Sequence, residues 1–181
     1  MKKITLLLAL GITLLSCGSK SELNQLAEAS VAIIETIKLG EENESLDPKR
    51  IGEYTFKNES GDQFGLSVNP TYFITGENLS DKLSYTLTKN GGPKVESVTI
   101  GVLFDLETEK EIYRKEFKNH FSDLLKEKGY VYDEKESLKE MLKNPQAPQP
   151  YFYNNDKDKR WIDLFIDEEK KTATIYYIIM K

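Results

Sequence analysis

The chain has one cysteine, one histidine and one tryptophan in 181 residues. A lone cysteine excludes an internal disulfide. One histidine and one cysteine cannot supply the nitrogen and sulfur ligands of a zinc centre. Basic residues are not in excess: 25 Lys and Arg stand against 30 Asp and Glu. That balance excludes the cationic footprint by which proteins displace counterions from nucleic acid. No apolar run approaches the roughly 20 residues that a membrane-crossing helix needs. No Gly-x-Ser-x-Gly elbow is present, and Gly91-Gly92 lacks the rest of a phosphate-loop pattern. Gly91-Gly92 reads as a hairpin turn. His120, as a catalytic base, would need a nucleophile and an orienting partner; its place beside Phe121 reads as the edge of a packed helix. Asp156-Lys157-Asp158 opens like a calcium loop, but Arg160 and Trp161 stand where a further oxygen ligand and a glycine belong. No metal, cofactor or catalytic residue is therefore assigned.

What the chain does have begins at its N-terminus. Lys2 and Lys3 precede about a dozen mostly apolar residues, Ile4 to Leu15, the length of a signal-peptide core. Leu14-Leu15-Ser16-Cys17 follows, with an aliphatic residue, a small residue before the cysteine, and the cysteine itself. This segment resembles the signal peptide and lipobox of bacterial lipoproteins. The resemblance implies cleavage before Cys17 and a lipid on its sulfur, which would account for the odd cysteine. Two or more acyl chains hold a protein stably at a bilayer, each buried methylene contributing about 0.8 kcal/mol. Gly18 stands where the inner-membrane retention signal has aspartate, so the resemblance implies the outer membrane. Cleavage removes Lys2 and Lys3 and leaves 23 basic against 30 acidic residues. The acidic body gains nothing from anionic headgroups, and the lipid carries the membrane attachment.

The patterning gives three regions: a signal peptide at 1–16, a lipid-anchored helix with an acidic linker at 17–50, and one α+β domain at 51–181. Ser21 to Leu39 is predicted as an amphipathic helix, with Leu23, Leu26, Ala27, Ser30, Ile33, Ile34 and Ile37 on one face and Gly40 as its stop. From Ile51 the period falls to two. Tyr54 and Phe56 lead through a turn at 58–62 to Phe64, Leu66 and Val68, a hairpin signal. Leu83 to Leu87 and Val95 to Phe104 read as further strands, the latter apolar on both faces and so central. A helix is expected at 107–128, capped by Asp105 or Thr108 and stopped by Gly129. A shorter one starts at Asp133 and ends at Pro145. Tyr151 to Tyr153 reads as a short strand, and 160–167 with 172–180 as a hairpin. The expected fold is an antiparallel sheet of five to seven strands, with the long helix on one face and the amphipathic helix at the N-terminus.

Two features suggest binding. Tyr151, Phe152, Tyr153 and Trp161 offer flat rings that could stack on a ligand, although aromatics are also ordinary strand residues. The apolar face of the 21–39 helix could serve a partner, a second copy or its own sheet. Three functional readings follow: a non-enzymatic envelope lipoprotein binding a protein or small ligand; a hydrolase using paired carboxylates on envelope polymers; and an assembly protein acting through the 21–39 helix. Pairs of acids are too numerous in sequence to choose among, because such catalysis depends on their separation in space.

Overall fold

A computed structural model describes residues 21–42, 47, 49–58, 69–76, 78–89, 92–105 and 110–179. Cys17 and the signal segment lie outside the described residues. So do Thr108 and the predicted strand arm at Phe64, Leu66 and Val68.

The fold is α+β. Its sheet holds nine strands among the described residues, in the order β1-β2-β3-β4-β5-β9-β8-β7-β6, with antiparallel pairing throughout. The strands are β1 (Arg50–Ile51), β2 (Tyr54–Asn58), β3 (Thr71–Thr75), β4 (Leu83–Thr88), β5 (Ser97–Leu103), β6 (Val131–Tyr132), β7 (Gln149–Asn155), β8 (Arg160–Asp167) and β9 (Thr172–Ile179). One meander runs from β1 to β5. The chain then crosses over as a helix and builds a second meander inward from the far edge, closing when β9 pairs with β5. This corrects the expected five to seven strands. β1 and β6 are two residues each, too short to show a period. β3 follows Asn69-Pro70 and alternates buried Tyr72 and Ile74 with half-buried Thr71, Phe73 and Thr75, a strand that the sequence pattern does not mark.

Helix α1 (Glu22–Thr36) starts at Ser21, whose hydroxyl accepts from the Asn24 N–H at 3.2 Å. Its predicted stripe is buried, with Leu26 and Ile33 fully inaccessible. Gly40 does not end it. The helix stops at Thr36, and Ile37 turns extended so that Ile37 and Leu39 can also enter the core. The crossover helix is α2 (Lys110–Ile112), a π-helical turn (Tyr113–Phe117) and α3 (Lys118–Glu127) in succession. The sequence reading expected one uninterrupted helix here. The wider turn sets Tyr113 and Phe117 against Phe104, with ring centroids 4.6 and 5.2 Å away. Gly129 is the stop, at φ +83°: its N–H donates to the Lys126 carbonyl and that of Tyr130 to the Leu125 carbonyl, each at 3.0 Å. These two bonds make a Schellman cap. α1 packs on α3 and the π-turn, and all of these cover one face of the sheet. α4 (Glu134–Lys143), capped by Asp133, lies along β7 at the sheet edge.

The register separates the two faces cleanly. One row across the helix-covered face reads Tyr72, Tyr85, Ile100, Ile175, Leu164, Tyr151, all buried. The adjacent row on the other face reads Thr71, Thr86, Thr99, Tyr176, Asp163, Phe152. No described helix packs over this second face.

Candidate functional site

The second face divides by composition. Over β3, β4 and β5 it is mostly short and hydroxylic, with Thr71, Thr86, Thr88, Ser84, Ser97 and Thr99 beside Phe73, and the Thr71 and Thr86 hydroxyls 2.8 Å apart. Over β7, β8 and β9 it turns aromatic. Side chains repeat every two residues along a strand, so Trp161, Asp163 and Phe165 of β8 share this face. Asp163 pairs across to Phe152 on β7 and to Tyr176 on β9. One carboxylate is thus ringed by four aromatic side chains: Phe152 and Tyr176 to either side, Trp161 and Phe165 before and after it.

Three of these rings are connected. Phe165 meets Phe152 edge-on at 6.0 Å and Tyr176 edge-on at 5.9 Å. Tyr176 is 41% exposed, so the array opens to solvent on the β9 side. Asp163 Oδ1 is buried without a hydrogen-bond partner among the described residues. Burial among apolar rings raises the Asp163 carboxyl to about 6, with the Trp161 indole N–H partly offsetting the rise. No Lys or Arg pairs with it among the described residues.

Beside the ring lies a groove of about 850 Å³ lined by Gly40, Lys94, Glu96, Ser97, Trp161, Ile178 and Ile179. Its floor is mostly apolar. Trp161 belongs to both groove and ring. Gly40 shapes the far wall: a Cβ there would stand 3.3 Å from Ile179 Cδ1, and its φ of +80° suits glycine. Arg160 fastens that wall by donating from Nη2 to the Leu39 carbonyl at 3.0 Å.

Of the four aromatics singled out in the sequence, Phe152 and Trp161 are on the second face. Tyr151 and Tyr153 turn inward and are 5% and 1% exposed. The period of two separates them from Trp161, which pairs with Asn154. Tyr153 shares a 2.6 Å hydrogen bond with Ser122 and borders a cavity of about 310 Å³ under α3. The Lys118 ammonium lies over the Tyr132 and Tyr151 rings at 5.2 and 5.3 Å. These residues tie α3 to the sheet. His120 sits 3.2 Å from Glu28 and joins α3 to α1. Asp163, Phe165 and Tyr176 were not singled out from sequence. The signal for three of the ring's members was present, since Trp161-x-Asp163-x-Phe165 sets an acid between two aromatics on one strand face.

Among the described residues, no three His, Cys, Asp or Glu side chains gather as a metal-binding group, and no helix is long and apolar enough to cross a membrane. No family model, curated protein or solved structure matches the chain.

Proposed function

We propose that this chain is a bacterial envelope lipoprotein, anchored through lipid on Cys17, whose domain binds a small ligand on its open sheet face. The observation that carries the binding role is the Asp163 carboxylate, ringed by Phe152, Trp161, Phe165 and Tyr176 and adjoining an apolar groove. Large rings on a sheet face that no described helix covers, and a carboxylate oxygen buried beside them without a hydrogen bond, each cost free energy. A ligand that covers them offsets that cost.

The hydrolase reading has less support. General acid–base cleavage of a polymer requires a second carboxylate a few ångströms from the first, and the nearest neighbours of Asp163 in its row are Phe152 and Tyr176. The assembly reading through the 21–39 helix also loses ground, because the apolar face of α1 is already spent in the core. The lipobox supports the lipid anchor, Gly18 supports the outer membrane as its address, and the excess of acidic residues argues against a role with nucleic acid.

Two measurements test this reading. Cys17→Ser should move the protein from a salt-resistant membrane fraction to the soluble fraction and abolish labelling by radioactive palmitate. Retention after the substitution would remove the anchor. Trp161 is the sole tryptophan, so its emission reports on the groove directly. Ultrafiltered small-molecule extract of the cell envelope should shift that emission saturably. An unresponsive Trp161 would count against the open face as a binding site.

A further inference from the structure

We infer that the ring around Asp163 receives a small organic cation, an alkylammonium group whose hydrocarbon arm lies in the neighbouring groove. The inference rests on reading the open face as a binding site and names the chemistry of what binds there.

The argument is charge complementarity within a fixed geometry. Neighbours of Asp163 stand about 5 Å away across the strands and about 7 Å away along β8, distances set by sheet geometry. An aromatic ring presents a negative face and attracts cations held within about 6 Å of its centroid, most strongly when water is excluded. A ring that turns its face to an ammonium head group acts in the same direction as the carboxylate. The acid itself asks for such a partner: Oδ1 is buried and unpaired, and no cationic side chain reaches it among the described residues. A neutral ligand such as a sugar could stack on Trp161 but would leave the acid uncompensated. An anionic ligand would be repelled by it. The direction of the arm follows from Trp161, which bridges the ring to the apolar groove over Ile178. The net negative charge of the chain adds a weak long-range attraction for cations.

The test uses the full chain in a non-ionic detergent at constant ionic strength. The probes are n-butylammonium, its neutral isostere n-pentanol and the anion pentanoate, followed by Trp161 fluorescence and titration calorimetry. Butylammonium should bind saturably, at least about 10-fold tighter than pentanol, with pentanoate weakest, as expected for a desolvated cation–π and charge contact. Asp163→Asn should remove that 10-fold preference, and Tyr176→Ala should weaken butylammonium several-fold while leaving pentanol nearly unchanged. Thermal melts of each variant establish that it is folded, and Phe165→Leu provides a second lesion in the ring should Tyr176→Ala fail to fold. Pentanol binding as tightly as butylammonium would overturn the cation assignment yet leave the face as an apolar ligand site. An Asp163→Asn variant that kept the full preference would also overturn the assignment. Silence of Trp161 and of the calorimeter toward all three probes would overturn the cation assignment; a response to the envelope extract would then show that the face still binds something else.

Discussion

The backbone N–H of Phe152 donates to Ser137 Oγ at 3.1 Å, and that hydroxyl donates in turn to the Asp133 carbonyl at 2.7 Å. The Asp133 N–H reaches back to the Phe152 carbonyl at 2.8 Å. β6 ends at Tyr132, so beyond it the edge of β7 would present unpaired backbone groups, an invitation to pairing with other chains. The first turn of α4 satisfies them. The same contacts hold Phe152, one wall of the Asp163 ring, in place.

Ser137→Ala removes the acceptor while Phe152 stays buried. An orphaned buried N–H costs about 1–3 kcal/mol. Denaturant unfolding should show a loss in that range, and the Phe152 amide should exchange hydrogen faster than its neighbours on β8. Unchanged stability with an unchanged Phe152 amide would mean that α4 does not seal this edge.

Much of the sheet was legible because period-two alternation reports which residues face a core. Val95 to Phe104, apolar on both faces, marked the strand that became the fifth of nine. The 160–167 and 172–179 hairpin was marked by the charged turn between its arms. Gly129 and Asp133 announced helix boundaries through backbone requirements that few other residues meet. The rest depended on pairing. β1 and β6 exist as strands only through β2 and β7. The π-turn at Tyr113–Phe117 has no local signal, because the i,i+4 spacing of these two rings reads equally well as a plain α-helix. Asp163 acquires its surroundings from Phe152 and Tyr176, eleven residues before it and thirteen after. Cross-strand register assembles that ring, and register is the quantity that a single sequence states least directly.

Helix α1 is part of the core, which sets its contribution to stability. Leu26 is fully buried in the cluster that joins α1 to the sheet. Leu26→Ala should cost about 2–5 kcal/mol, the usual range for truncating a buried leucine. The loss should lower a single cooperative transition for the whole domain. If α1 melted separately, with the sheet transition unmoved, α1 would be an appended element and its apolar face available to a partner.

Gly129 provides a cleaner backbone test. A Cβ there would meet only Asn155 Nδ2, at 3.7 Å, an ordinary contact. The expense of Gly129→Ala is therefore conformational, about 1–2 kcal/mol for placing an L-residue in the left-handed region. Gly129→Asn should lose less, because asparagine tolerates that region better. Thermal melts should rank the three proteins glycine, asparagine, alanine. Equal losses for both substitutions would point to a steric cause in place of the backbone one.

The pH dependence of stability isolates Asp163. Its carboxyl is raised to about 6 in the folded protein from an ordinary value of 3.8. The native state therefore keeps a proton that the unfolded chain has released across that interval. The stability this proton confers is complete below pH 3.8 and is lost as pH rises through about 6. A shift of this size corresponds to roughly 3 kcal/mol at most, and screening by solvent at a half-buried site reduces it to about 1–2 kcal/mol. Asparagine does not titrate. The Asp163→Asn variant should match the parent near pH 4, pull ahead between pH 4 and 6, and hold an advantage of about 1–2 kcal/mol above pH 7. Groups that titrate in both proteins cancel in the difference, including Asp167, held low chiefly by the backbone N–H of Lys170. Urea titrations of the two proteins at several pH values give that difference directly. A gap that stayed constant with pH would mean that Asp163 is ionised in the folded protein as readily as in water, and the aromatic ring would then impose no desolvation on it.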